Sequence, residues 1–185
     1  MNSKIFIYGV PGAGKTSFST ALKAKLGYPL VEADYLRGSV AQVEKSREQD
    51  PFVYLGTTEA WQELGAMTPG AIVDGLQKVR NSMWPYVKNE IVRHADDLIM
   101  EAAFLNPNKV SEYGQPVLVV TSDELAHERQ YFEHRERTAY NLETFKAARV
   151  IQGYLLTEVQ KQNVIVLENA GSVEELVNEF LLPHR

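Results

Sequence analysis

The 185 residues, 44% hydrophobic and 23% charged, suit one soluble globular domain with a single substantial core. A net charge of −5 and a pI near 5.4 give no basic face for nucleic acid and no support for a membrane-surface role, and the absence of cysteine excludes disulfides, thiolate chemistry and cysteine metal sites. No stretch reaches the length of a membrane span and the first apolar run is too short for a signal peptide, so a cytoplasmic protein is expected.

The chain starts with a short apolar run, Lys4-Ile5-Phe6-Ile7-Tyr8, read as a buried strand. Gly9-Val10-Pro11-Gly12-Ala13-Gly14-Lys15-Thr16 follows and fills the phosphate-loop pattern G-x-x-x-x-G-K-[ST] at every fixed position. A helix from Thr16 to Leu26 completes the setting: a strand delivers the chain to a glycine turn whose backbone N–H groups face an anion, and the helix adds its positive N-terminal end. Gly12 and Gly14 let the backbone approach phosphate oxygens, Lys15 supplies charge to the β and γ phosphates, and the Thr16 hydroxyl suits Mg²⁺. Gly9, Pro11, Ala13 and Ser17 complete the triphosphate-binding set, so ATP with Mg²⁺ is the expected cofactor pair.

A second strand, Tyr28–Ala33, ends at Asp34, and a helix is predicted from Leu36 to Glu48, broken at Asp50-Pro51. The stretch 52–67 reads as irregular or as short helical pieces. Thr68-Pro69 looks like a cap with proline at the first helical position, opening a helix to Arg93 that is bent near Pro85. Asp97–Glu101 and Val117–Val120 are the third and fourth strands. A charged helix is expected from Glu124 to about Arg137, then a long one from Leu142 to Gln160, a fifth strand at Asn163–Leu167, and a capping box, Ser172-Val173-Glu174-Glu175, before the closing helix. Strands alternating with helices imply an α/β fold with a parallel sheet covered on both faces, and ligands bind beyond the carboxyl ends of such strands. The phosphate loop, Asp34, Glu101, Thr121 and Glu168 are therefore expected along one rim.

On that rim Asp34 can accept a proton from an attacking hydroxyl or hold Mg²⁺ through water; its alternative role is a helix cap. Arg37, one turn on, can clamp an anionic acceptor. Glu101 is a second acid for metal water or nucleophile, which leaves Thr16, Asp34 and Glu101 as candidate metal holders and the choice of base open. The segment from His127 to Arg137 either forms a solvated helix with i,i+4 ion pairs or a lid whose arginines close on phosphates. Arg129 is assigned to the nucleotide, Arg135 to the transferring group, and Arg137 and Arg149 to the acceptor. Asp74 and the nearby Trp61 and Trp84 can line an acceptor pocket or simply pack. His94, His127, His134 and His184 lack metal-ligand spacing and read as structural or surface residues.

Several blocks together resemble a small P-loop kinase of the nucleoside-monophosphate-kinase-like group, with most similarity to the 2-phosphoglycerate kinase family. They are Gly9–Thr16, Asp34-Tyr35-Leu36-Arg37, Thr57-Thr58-Glu59-Ala60-Trp61, Asp74-Gly75-Leu76-Gln77, 99–107, the arginines after His127, 148–155 and Val164–Asn169. The resemblance implies one three-layer P-loop NTPase domain with a five-stranded parallel sheet, a helical lid around 124–140 and an acceptor-side helical region around 36–93. It places the adenine of ATP near Glu168-Asn169 and a small acceptor between Arg37 and the lid, and it implies ATP-dependent phosphoryl transfer to a small anionic metabolite such as a phosphorylated sugar acid. After the strand-end glutamate the family carries glycine and, two positions further, histidine; this chain has Ala102 and Phe104 there. A nucleotide or nucleoside kinase is the alternative within the class. A nucleotide-dependent switch is the alternative outside it, although no [NT]-K-x-D guanine motif is present and Glu101 has no acidic neighbour.

Overall fold

A computed structural model describes residues 3–133, 135–160 and 162–182; His134 and His184 lie outside them. Five parallel strands form one sheet: β1 (Lys4–Tyr8), β2 (Leu30–Glu32), β3 (Leu98–Glu101), β4 (Gln115–Val120) and β5 (Ile165–Glu168), in the order β2-β3-β1-β4-β5. The longer helices are α1 (Lys15–Leu26), α2 (Pro69–Arg93), α3 (Glu124–Phe132), α4 (Ala139–Val159) and α5 (Val173–Leu181). Central β1 pairs with β3 (Ile7 opposite Glu101) and with β4 (Tyr8 opposite Leu118).

The period of two in β1 sorts its side chains between two cores. Ile5 and Ile7 meet Phe18 and Leu22 of α1 and Leu176 and Val177 of α5. Phe6 and Tyr8 meet Leu76, Val79 and Met83 of α2 and Ile151 and Leu155 of α4. Helices thus cover both faces of the sheet, giving three layers, and every strand points its carboxyl end at the same rim.

Local chemistry starts and stops these helices. Gly14, at φ 89°, leads into α1, and Gly27, at φ 73°, ends it by donating its N–H to Lys23 O at 2.8 Å. The Thr68 hydroxyl accepts from Ala71 N at 3.1 Å ahead of Pro69, a cap worth about 1 kcal/mol. Pro85 removes one backbone bond inside α2, yet the helix continues to Arg93 because its apolar face (Ile72, Leu76, Val79, Met83, Val87, Ile91) is buried. The capping box at Ser172 and Glu175 forms with both of its bonds.

Two expected helices differ. Instead of one helix over 36–48 there is a single turn at Asp34–Leu36, a π-helical segment at Arg37–Ala41 and another turn at Gln42–Glu44. Gly38 and Ser39 weaken a regular helix here, and Arg37 and Gln42 bond to carbonyl oxygens of Phe52, Leu55 and Val53, which ties the segment to the loop that follows. The charged helix stops at Phe132 rather than Arg137. Thr138 caps α4 by accepting from Asn141 N at 3.1 Å, so the next helix opens three residues earlier than expected.

Candidate active site

Two glycines, Gly9 and Gly14, shape the phosphate loop by close approach. A Cβ on Gly9 would lie 2.3 Å from Val119 O, and one on Gly14 would lie 2.4 Å from Asn169 Nδ2; both residues have positive φ. The loop therefore packs on the tip of β4 and on the segment after β5 at backbone distance. Lys15 is buried and donates to Val10 O at 3.1 Å, across the turn it closes. Burial pulls its ammonium below the ordinary lysine range, and Glu101 and Asp34 oppose that shift.

Register places Glu101 beside the loop, because β3 is the direct neighbour of β1. Its side chain is 4% exposed and accepts from Thr16 Oγ1 at 2.9 Å. Burial pushes the carboxyl pKa up, while Lys15 and the Thr16 bond hold it down and Asp34 and Glu32 push it further up. The Thr16–Glu101 pair is a hard oxygen donor set at the phosphate end of the loop, which fits a Mg²⁺ that keeps most of its waters. Among the described residues no group of three or more acids or histidines forms an all-protein cage.

Two cavities adjoin this centre. One, of about 580 Å³, is lined by Gly12, Gly14, Lys15, Thr16 and Ser17 of the loop, by Gln130, Glu133 and Arg135, and by Asn169, Gly171 and Val173. The other, of about 220 Å³, is lined by Pro11, Asp34 and Arg37, by Gly56, Thr57, Thr58 and Glu59, by Ala103, and by Tyr131, Arg135, Asn141 and Thr144. Arg135 lines both. It is anchored by donation to Tyr131 O at 2.8 Å and by its position 4.5 Å from the Tyr131 ring centre.

The remaining expected site residues fall in different places. Asp34 and Arg37 share the smaller cavity. Asn169 lines the larger one and donates to Ala13 O and Gln130 Oε1, whereas the Glu168 carboxylate turns away to accept from Ser122 N at 2.7 Å and from the Ser122 hydroxyl. Arg129 and Asp74 are exposed and line neither cavity. Arg137 lies on the outer surface, paired with Glu128 at 3.0 Å over the Phe132 ring. Arg149 donates to the carbonyl oxygens of Thr121 (2.9 Å) and Ser122 (3.1 Å) and reaches His127 Nδ1 at 3.2 Å. His127 is fully buried, with Nε2 bonded to Pro11 O at 2.9 Å. Sequence reasoning assigned it no site role. Residues 57–59, Asn141 and Thr144 also went unassigned, although the block from Thr57 to Trp61 had stood out.

The sheet order, the glycine loop and the helices on both faces give the chain the fold of the small P-loop kinases. No family model matches it. It is similar to the 2-phosphoglycerate kinase of Pyrococcus horikoshii, with 27% identity over 96% of this chain and 62% of that protein. It is also similar to the mevalonate-3-phosphate 5-kinase of Thermoplasma acidophilum, with 30% identity over 60% of this chain and 56% of that one. The chain thus spans about three-fifths of the length of the curated relatives it matches. Among solved structures, a gluconokinase from Sinorhizobium meliloti superposes with TM-score 0.56 (15% identity, 97% of this chain and 90% of that one), and shikimate kinase from Acinetobacter baumannii with 0.59 (16%, 98% and 92%). These structural likenesses carry the fold.

Proposed function

We propose that the chain is an ATP-dependent phosphotransferase acting on a small anionic metabolite. The observation that carries this reading is Arg135, one guanidinium lining both a cavity against the phosphate loop and a smaller cavity holding Asp34 and Arg37. In-line transfer needs donor and acceptor on either side of a charge-stabilising group. Loop amides and Lys15 bind the β and γ phosphates. Thr16 and Glu101 would hold Mg²⁺, which when bound neutralises charge on the phosphate oxygens. Asp34, rather than Glu101, takes the acceptor proton: Asp34 lines the acceptor cavity, while Glu101 accepts from Thr16. Arg135 stabilises the transferring group, and segment 124–140 serves as the lid that keeps water out.

Similarity to kinases of phosphorylated metabolites makes a phosphoglycerate a first compound to assay. An acceptor cavity of about 220 Å³ is small for a nucleoside or nucleotide, since sites for drug-sized ligands run to roughly 300–1,000 Å³. We place the activity in the cytoplasm, where ATP is, with a small-molecule acceptor and neither nucleic acid nor membrane as partner; no described helix is long and apolar enough to cross a membrane. The test is label transfer from ATP to a panel of sugar acids, their phosphates, nucleosides and nucleotides, with Lys15→Ala as control. The control is expected to lose transfer by about 10²–10³-fold or more and to keep its fold. Normal turnover by that variant would sink the reading.

A further inference from the structure

The charge pattern of the smaller cavity narrows the acceptor. Arg37 is its one cation that the nucleotide cavity does not share. The Arg37 Nη1 donates to Phe52 O at 3.3 Å and to Leu55 O, and the guanidinium sits 5.1 Å from the centre of the Phe104 ring. Both of these bonds leave from Nη1, and Arg37 lines the cavity. Two carboxylates share this space: Asp34 and Glu59, both close enough to Arg37 to strengthen its hold on its proton against the effect of burial. Glu59 is fixed in place by Gly56 N, which donates to its Oε2 at 3.1 Å.

Resting on the phosphotransferase reading, we propose that the acceptor is a small hydroxy acid with one carboxylate and no phosphate group. Its carboxylate pairs with the Nε and Nη2 edge of Arg37, because two parallel N–H donors match the two oxygens of a planar carboxylate. Its other hydroxyls donate to Glu59 and exchange hydrogen bonds with Thr57, Thr58 and Asn141, since an ionised carboxylate accepts only from donors. The reacting hydroxyl lies by Asp34. Its oxygen bonds to the γ phosphorus of ATP, and the bond from that phosphorus to the β–γ bridging oxygen breaks. ADP leaves with the bonding pair, and the hydroxyl proton passes to Asp34. A phosphorylated acid would bring a further charge of about −1.5 to −2 into a space already lined by two carboxylates. One unshared cation supports one anion.

The experiment measures label transfer by the full chain from γ-labelled ATP with magnesium to matched pairs: glycerate against 2- and 3-phosphoglycerate, gluconate against 6-phosphogluconate, with glycerol as the uncharged control. The expected result is kcat/KM for an unphosphorylated acid at least about tenfold above both its phosphorylated partner and glycerol. Transfer confined to phosphorylated acids, or to glycerol, overturns the proposal. ATP bound but no hydroxy acid labelled overturns the acceptor class and leaves nucleotide binding standing, whereas failure to bind ATP overturns the reading beneath it. Glu59→Gln is a second probe. It removes one negative charge and should shift the preference towards the phosphorylated partner by about tenfold; an unchanged ratio counts against the proposal. If that variant does not fold, the wild-type ratios decide alone.

Discussion

Arg149 Nη1 and His127 Nδ1 lie 3.2 Å apart, and the opposite ring nitrogen of His127 reaches Pro11 O at 2.9 Å. A guanidinium only donates, so Nδ1 accepts and Nε2 carries the proton given to Pro11. That assigns His127 the neutral Nε2–H tautomer and makes it a strut between the phosphate loop and the first turn of α3. Arg149 continues the strut to the tip of β4 through Thr121 O and Ser122 O. Gln152 holds the same point, donating to Thr121 O and accepting from Thr121 N.

The strut predicts a pH dependence. Burial depresses the His127 pKa, Arg149 and Lys15 add to that, and the Pro11 bond and Glu124 oppose it. Between the depressed value and the ordinary one of about 6.5, the unfolded chain takes up a proton that the folded chain refuses. The stabilising contribution is therefore complete above about pH 6.5 and is lost as pH falls through the folded value. His127→Gln keeps a donor for Pro11 and does not titrate, so its melting temperature should fall less steeply than that of the wild type between pH 6.5 and 5. Matching slopes would mean that another group controls the acid limb.

Arg135 predicts a split between chemistry and binding. The Tyr131 carbonyl anchors it where it lines both cavities. Arg135→Ala should lower kcat by about 10²–10³-fold while the Kd for ATP changes only a few-fold, because the donor acts on charge that develops during transfer. Arg135→Lys should recover little, since a point charge lacks the planar fork. If Arg135→Ala instead raised only the KM for ATP, the residue would be a nucleotide clamp.

The local parts of the site were legible from the sequence, and the distant parts were not. Gly9–Thr16 declares itself because strand, turn and helix adjoin in the chain, and Glu101 follows because an apolar strand ending in a carboxylate implies a central strand. Residues 57–59 carry no periodicity; they reach the cavity because Arg37 and Gln42 hold the 52–55 loop against the π-helical segment. His127 and Arg149 are 22 positions apart, and their contact depends on how α3 and α4 pack. Arg129, Arg135 and Arg137 were all expected at the site, on a helix running to Arg137. Its stop at Phe132 separates Arg135, at the cavities, from Arg137, on the outer surface.

A last prediction concerns the interior between α2 and α4. The Arg80 side chain is completely buried, and its Nη1 lies 3.1 Å from both oxygens of Glu158, which is 10% exposed. Tyr154 donates to Glu158 at 3.1 Å and accepts from Gln77 at 2.9 Å, so the network joins α2 to α4. Among the described residues Arg80 Nε and Nη2 find no hydrogen-bond partner, so Nη1 carries the pairing. Glu158→Ala should leave a buried guanidinium uncompensated and cost about 3–5 kcal/mol, lowering the melting temperature by roughly 6–20 °C for a chain of this size. Replacing both partners, Arg80→Met with Glu158→Leu, removes both desolvation penalties and should restore most of that loss. The pair touches neither cavity, so the double variant should keep kcat within a few-fold. A double variant as unstable as Glu158→Ala would show that the packing at this site, and not the buried charge, sets the cost.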